Sequence, residues 1–501
     1  MLNYQKNSLR KLKFMQKFCR MKIFAYICTR ISEKQILIMI NRQLINPASI
    51  VVIGGSNNTL KPGGALVRNL IQGKYQGDLY VVNPHEDIVQ GVKSYRDVKD
   101  IPETELAIIV VVSTFCPSYV EYLASEKGVK AFIVISSGFS ELSLDGAVLE
   151  AKMHNVCNKY GCSFIGPNCI GMITANYCGA FTSPNPIINK EGVDLISNSG
   201  GVALYTIEMA KITGLRFNSV WSIGNARYTG VEDVLQYMDE TFDAEKDVRG
   251  KILYIESIRD PERLLRHAKS LIAKGCRIAA IKSGSTQSGA RATSHHTGSA
   301  AFDDKRADEL FREAGIVRCY SRQELVAMGC LFSLPRIEGN RFAIITQAGG
   351  LGVITADALS KGGMLVPELK GEVADELLTH LHKGASVSNP IDVLATGTVE
   401  QLETVIDYCD NRFDEIDAII LSYGSAGLEP MDGCFDAIHR KLSECRKPVI
   451  TICPSIFTEA GNLEKFLAKG HVNLLDEELA VRCIVRVAGA VSGSSGHECF
   501  G

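Results

Sequence analysis

Two adjacent histidines, His295 and His296, stand in the run Ile281–Asp304, IKSGSTQSGARATSHHTGSAAFDD. Their neighbours are small hydrogen-bonding residues: Ser294, Thr297 and Ser299 carry hydroxyls, and Gly298 lets the backbone approach a bound group. No Cys or acid lies at ligand spacing, so the pair is a poor metal centre. An imidazole in such surroundings is better suited to be a nucleophile that carries a phosphoryl group. A lone loop histidine is more often a solvated side chain. The polar, Gly/Ser-rich segment shifts that balance, because long loops without structure are usually functional or mobile. Glu256, closing the expected strand Lys251–Glu256, offers a carboxylate that can hold one imidazole nitrogen and leave the other free to attack.

Two further segments repeat each other. Ile196-Ser-Asn-Ser-Gly-Gly201 matches Ile345-Thr-Gln-Ala-Gly-Gly350, and each follows an apolar run and opens a helical stretch. Ser199, Gly200 and Gly201, and likewise Ala348, Gly349 and Gly350, therefore stand where free backbone N–H groups and a positive helix end face one point, the geometry of an anion site. Ordinary strand-to-helix turns also use Gly for tightness, and repeat duplication alone can produce the match. An earlier turn, Gly54-Gly55-Ser56 with Gly63-Gly64 beyond it, suits a nucleotide-type cradle. It is neither G-x-G-x-x-G nor G-x-x-x-x-G-K-[ST]. The next strand ends Val82-Asn83-Pro84, without the acid that grips a nicotinamide-cofactor ribose, which counts against a dehydrogenase.

The elements that must carry these residues are strand–turn–helix units. Ser49–Ile53, Leu79–Val82, Leu106–Val112 and Ala131–Ile135 are continuous apolar runs, each ending in small polar residues. Helical stretches such as Gly64–Gln72 and Ser118–Lys127 lie between them. Strands apolar on both faces imply a covered parallel sheet, hence a doubly wound α/β fold with ligands at the strands' carboxyl ends. A second unit is expected from Val193–Ser197, Ser219–Ser222, Lys251–Glu256 and Arg277–Lys282, and a third from Arg341–Thr346, Ala418–Ser422, Pro448–Cys453 and His471–Leu475. Ala307, Leu310, Phe311 and Ala314 mark one face of a helix within 303–318.

A length of 501 residues accommodates about three such domains. The net charge of −2 gives no general attraction to nucleic acid or anionic membrane, and no apolar run is long enough to span a bilayer. Residues 1–34 hold nine of the 54 basic residues and one of the 56 acids, which leaves a body of net charge −10. Residues 1–40 are read as a basic leader, either a mis-assigned start with translation from near Met39 or a disordered tail. The sixteen cysteines are scattered without C-x-x-C pairs, which suits reduced thiols in a cytoplasmic enzyme.

Ten ordered stretches between about Ser49 and Val491 carry a resemblance: SIVVIGGSNN, LYVVNP, VISSGF, GPNCIGM, LISNSGG, SIGNARYTGVEDVL, YIESIRD, KSGST…SHHTGSAA, ITQAGGLGV and SNPIDVL. Together they resemble the alpha subunit of the ADP-forming acetyl-CoA (acyl-CoA) synthetases, relatives of succinyl-CoA synthetase. The resemblance implies a CoA-binding Rossmann-like domain (41–175) followed by two flavodoxin-like domains (190–335, with the phosphohistidine loop, and 338–495). It implies His296 as the phosphorylated histidine, with His295 an extra neighbour, and Glu256 as its stabilising carboxylate. It places Ser199–Gly201 and Ala348–Gly350 on phosphate, and Gly54, Ser56, Asn83, Ser136, Ser137 and Gly138 in the CoA loops. Asn168 of GPNC falls near the thioester, and Asn389 and Asp392 near the acyl and phosphate site. The loop Asn57–Gly63, NNTLKPG, departs from the family's DPGKVG type, with Lys61 available to the CoA phosphates, and Ser299–Asp304 lacks the usual Leu-Ala-Gly.

The family's nucleotide step belongs to an ATP-grasp module, for which the three units leave no room. The resemblance thus implies an ATP-grasp beta subunit that supplies ADP/ATP and Mg, in an alpha-two beta-two assembly. CoA or acyl-CoA and phosphate are the substrates expected on this chain. The other readings weighed are a non-catalytic acyl-CoA-binding regulator and a nicotinamide-dependent oxidoreductase.

Overall fold

The computed structural model describes residues 40–297, 302–425 and 431–492, with all side chains in those spans except 294–297, 432 and 489–492. Three sheets follow one another along the chain. The first contains β1 (Ser49–Ile53), β2 (Asp78–Val82), β3 (Ile88–Val89), β4 (Val92–Tyr95), β5 (Leu106–Ile109), β6 (Ala131–Val134) and β7 (Ser163–Ile165). Their order is β3-β4-β2-β1-β5-β6-β7, parallel except for the small β3–β4 pairing. Without β3 this is the doubly wound order in which the chain reverses direction beside β1, the place where such sheets bind ligands. The unbroken apolar run of β1 has a simple cause. Ile50 and Val52 enter one hydrophobic layer and Val51 and Ile53 the opposite one, so both faces are covered by helices.

The second sheet contains β8 (Gly171–Ile173), β9 (Cys178–Ala180), β10 (Ile188–Ser197), β11 (Phe217–Ser222), β12 (Gly250–Ile255), β13 (Arg277–Lys282) and β14 (Val317–Cys319), in the order β14-β13-β12-β10-β11-β8-β9. The third contains β15 (Phe342–Thr346), β16 (Ile391–Asp392), β17 (Ala418–Ser422) and β18 (Val449–Ile452), in the order β16-β15-β17-β18. Counted from their first central strands, β10 and β15, both follow the flavodoxin-like sequence in which the second strand lies on one side and the third and fourth on the other. The two units share a core. Val193 and Leu195 of β10, Phe342 and Ile344 of β15 and the buried helix Arg322–Ser333 belong to one apolar cluster.

Three expectations are corrected. The strand expected at Leu106–Val112 stops at Ile109, and Val110, Val111 and Val112 turn into a cavity wall instead. The segment Ile281–Asp304, expected as a long loop, contains a helix over Gln287–Thr297, started by the Thr286 hydroxyl accepting the Gly289 N–H at 3.1 Å. The strand expected at His471–Leu475 is a single bridge between Leu474 and Ile452. Beyond these, β8 pairs antiparallel with β11 and with β9, so the end of unit one is woven into the sheet of unit two.

That hairpin is clamped from unit one. Asn69, wholly buried on the helix Pro62–Gln72, donates to the carbonyls of Ala180 (2.8 Å) and Thr182 (2.9 Å). Asn69→Leu keeps the volume but strands two buried acceptors, each worth about 1–3 kcal/mol. Chemical denaturation should show a loss of about 2–4 kcal/mol, and a loss below about 0.5 kcal/mol would show that the clamp carries no stability.

Candidate functional site

The carboxyl ends of the first two sheets face one cavity of about 750 Å³. Its walls include Val110–Ser113, Ser136 and Ser137 from unit one, Asn168–Ile170 from the link, and Asn198–Gly201 with Leu204 from unit two. The first glycine turn lies at the same sheet edge. Gly54 has φ +91°, and a Cβ there would overlap the Val110 carbonyl. A Cβ on Gly63 would overlap the Gly54 carbonyl, so these glycines let the helix Pro62–Gln72 start hard against the turn. Ser56 accepts the Asn58 N–H at 3.1 Å, and Lys61 is exposed at the N-cap of that helix. Asn83 is committed to the backbone, donating to Gly55 O at 2.8 Å and accepting from His85 N at 2.9 Å. Gln90, with nothing in the sequence to mark it, ties the loop shut by donating to Ser56 O (2.8 Å) and Gly64 O (2.9 Å).

Ser136 braces the neighbouring loop, accepting Val111 N at 3.1 Å, and its own carbonyl accepts Asn168 N at 2.9 Å. Asn168 has φ +59°. Gly138, at φ +100°, donates its N–H to Glu141 Oε1 at 2.6 Å.

On the other wall the helix Gly200–Thr213 begins with Ser199, whose hydroxyl accepts Val202 N at 3.3 Å. Ser197 fixes the turn before it, accepting Ser199 N at 3.1 Å and donating to Ser199 O at 2.7 Å. The third unit reproduces this bracket with Thr346, which accepts Ala348 N at 3.0 Å and donates to Ala348 O at 3.2 Å, before the helix Gly349–Lys361. Hydroxyls at matching places in the two turns make the duplication structural as well as textual.

The two helix starts differ in what faces them. Ser199, Gly200 and Gly201 open on the cavity, where their amides and the helix dipole, about half a positive charge, meet no charged side chain among the described lining residues. Ala348, Gly349 and Gly350 do not line it. Asp392 sits at the second helix start instead: its Oδ1 accepts Leu394 N at 2.9 Å, and a Cβ on Gly349 would come within 2.9 Å of its Oδ2. Asn389, at φ +64°, spends its amide on Ile344 N (2.9 Å), Phe342 O (2.9 Å) and Pro367 O (3.0 Å), pinning the segment to β15.

Glu256 follows β12 and is buried, and its N–H donates to Asn198 Oδ1 at 3.1 Å, so it stands beside the turn that opens the first helix. Lys282, at the end of β13 next to it, is also buried; burial pushes its ammonium below the usual lysine value, with Asp304 opposing. His295 and His296 fall in the helix Gln287–Thr297, and their side chains lie outside the described residues.

Glu141 and Glu150 stand outside every quoted motif, and Asn225, inside the stretch SIGNARYTGVEDVL, has no role that the motif assigns. Asn225 Oδ1 accepts Asn168 Nδ2 at 3.2 Å, and its Nδ2 donates to Glu141 Oε2 at 2.6 Å. Glu150 is fully buried on the helix Leu144–Tyr160, and burial raises its carboxyl above the usual value although Ser140 and Asn225 hydrogen-bond to it. The available signal is an acid on the buried stripe Ala147, Glu150, Met153, His154, Cys157.

Comparison with known proteins adds the following. A family model described as a CoA binding domain matches residues 48–175, and one described as a succinyl-CoA ligase like flavodoxin domain matches residues 190–332. The alpha subunit of acetate–CoA ligase [ADP-forming] II from Pyrococcus furiosus is 34% identical over 81% of this chain and 88% of its own length. Acetate–CoA ligase [ADP-forming] from Methanocaldococcus jannaschii is 36% identical over 71% of this chain, which spans 49% of that longer protein. The fold matches that of a dinucleotide-forming acetyl-coenzyme A synthetase from Ca. Korarchaeum cryptofilum, solved with phosphate and ADP, at TM-score 0.79 and 24% identity, covering 91% of this chain and 97% of that one.

The buried Glu150 carboxyl sets a pH signature. Its folded-state value is raised, so its contribution to stability is full below the unfolded carboxyl value of about 4.3 and is lost as pH rises through the folded value. Glu150→Gln removes that loss. The melting temperature of the variant relative to the parent should rise between about pH 4 and about pH 8, and a pH-independent difference would show that the carboxyl does not titrate differently on folding.

Proposed function

We propose that this chain, which belongs to the family of ADP-forming acetate–CoA ligases, is the CoA-binding, phosphohistidine-carrying subunit of an acyl-CoA synthetase. The observation that carries the reading is the single cavity that joins the loops of the CoA-binding unit to the open start of helix Gly200–Thr213, with Glu256 on the adjacent strand end. Acyl-CoA enters along Ser136 and Ser137, with Gly54, Ser56, Lys61, Asn83 and Gly138 shaping the outer loops. Phosphate sits at Ser199, Gly200 and Gly201, where the helix start and the Gly200 and Gly201 amides face its charge while the Ser199 amide is held by Ser197 Oγ. Attack of a phosphate oxygen on the thioester carbonyl breaks the C–S bond, releasing CoA and leaving an acyl phosphate.

His296 then attacks the phosphorus, the carboxylate leaves, and Glu256 holds the other imidazole nitrogen so that the attacking one is unprotonated. A covalent carrier divides a three-substrate conversion into steps that each need only local positioning. Transfer of the phosphoryl group to ADP, with Mg, falls to an ATP-grasp beta subunit in an alpha-two beta-two assembly. A separate partner is supported by the relative from Pyrococcus furiosus, which this chain matches over 88% of its length and which is itself named a subunit alpha. Acetate is the acid named in the two relatives described above, and the setting proposed is cytoplasmic; no helix of the described residues is long and apolar enough to cross a membrane.

Incubation of the chain with acetyl-CoA and labelled phosphate should yield acid-labile, base-stable label on His296. His296→Ala should abolish the label, and labelling equal to the parent would refute the assignment. Glu256→Gln should slow label uptake by roughly 100-fold while CoA binding, followed by calorimetry, stays within about twofold, because the carboxylate acts on the histidine step alone.

A further inference from the structure

We infer that Asn225, held by Glu141 and Glu150, is a positioning residue that fixes which way the Asn168 amide faces in the cavity. The inference deepens the proposed function and rests on it for the place of the thioester. An asparagine amide has a donor end and an acceptor end of nearly equal size, and only its partners decide which end points where. Asn225 leaves no choice. Its Nδ2 lies 2.6 Å from Glu141 Oε2, 3.2 Å from Ser140 Oγ and 3.4 Å from Glu150 Oε2. Both carboxyl groups already act as acceptors of backbone N–H groups, Glu141 from Gly138 and Phe139 and Glu150 from Ser140, so the NH2 end must face them and the carbonyl must face Asn168. Asn168 Nδ2 donates to that carbonyl at 3.2 Å. The Asn168 carbonyl is thereby directed away from Asn225, as an acceptor.

The pieces of the relay come from four places in the chain and are rigidly held. Glu141 Oε1 is occupied by Gly138 N (2.6 Å) and Phe139 N (3.1 Å), so Oε2 is presented to Asn225. Glu150 Oε2 accepts Ser140 N at 3.2 Å. Asn225 is buried, and its N–H donates to Pro167 O at 3.0 Å. Gly224 before it has φ +62°, and a Cβ there would overlap the Pro167 carbonyl, so the two turns touch backbone to backbone. Arg227 is the other charge acting on Glu150, and the stacked rings of His154 and Tyr228 lie 3.6 Å apart on the same helix and loop. Among the described residues Glu150 Oε1 has no hydrogen-bond partner, a cost that a merely structural site would shed by substituting an apolar residue.

The substrate group that suits an acceptor here is the amide N–H two carbons from the sulfur in the CoA arm. Holding that N–H sets the distance from the thioester carbonyl to phosphate at Ser199–Gly201. A tilted Asn168 therefore slows acyl-phosphate formation more than a loss of contact area would.

A double-mutant cycle on the labelling half-reaction tests this. Asn168→Ala should lower the initial rate about tenfold. Asn225→Asp sets a carboxylate against Glu141 and Glu150, should cost a similar factor at about pH 8, and should regain at least half of it near about pH 6, where a shared proton restores a donor. The double variant should be no slower than Asn168→Ala alone. Losses that multiply, or a parent-like rate for Asn225→Asp, overturn the relay. Glu141→Gln turns an NH2 against the NH2 of Asn225 and should show the same non-additive loss without recovery at lower pH, which keeps the test decisive if Asn225→Asp folds poorly. A parent chain that takes up no label refutes the phosphoryl-carrier reading itself. The relay is then judged by CoA affinity, which the two single variants must weaken equally and the double variant no further.

Discussion

The pairing of β8 with β11 is the constraint on which the site depends. Ten residues at the end of the first unit leave its sheet and add an antiparallel edge to the second. Because strand pairing sets register to a single residue, this fixes the angle and separation of two sheets whose carboxyl ends must face each other. Asn69 grips the strand on its way across, and Ile170 N donates to Ser222 Oγ at 3.2 Å, a bond at the junction itself. The cavity is a consequence: its walls are the strand ends that this crossing brings together.

Electrostatics then separates two turns that the chain built alike. Both use a strand-end hydroxyl to bracket the residue before a glycine-started helix. In the second unit the helix start opens on a cavity whose described lining carries no charge, so its partial positive charge acts in a weakly polar space. In the third, Asp392 sits at the helix start and Asn389 is consumed by the backbone of β15 and its neighbours. The carboxylate places there a negative charge of the kind that a bound anion would bring.

Charges buried around the site follow the same logic. Glu256 and Lys282 lie at adjacent strand ends, and Glu150 sits under the Asn168 turn. Each costs desolvation, and the depressed lysine and raised carboxyl are the visible signs of it. Arg318 shows how the chain meets such a cost elsewhere: its buried guanidinium bridges Asp304 at 2.6 Å and Asp308, anchoring the helix that follows the histidine segment.

Local pattern was enough for the parallel strands and their helices. An apolar run covered on both faces, as in β1 and β17, declares itself in any sequence, and the buried faces of the helix Asp304–Ala314 fall at Ala307, Leu310, Phe311 and Ala314 as its spacing requires. Glycine turns at strand ends were equally legible, because positive φ and close backbone approach at Gly54 restrict the residue type. The two-residue strands β3 and β16 and the hairpin β8–β9 were not, since strands so short carry no period: β16 and β8 exist by pairing with β15 and β11, far away in the chain, and β3 and β9 only as the second arms of tight hairpins. Nor did the text distinguish the open helix start from the one Asp392 faces, or reveal that Asn225, Glu141 and Glu150 converge on Asn168. The last of these depends on distances between residues separated by 57 to 84 positions. Sequence fixes which groups are available and which backbone they ride on; only the packed sheets decide which of them meet, because hydrogen bonds and charges act over a few ångströms of space and not along the chain.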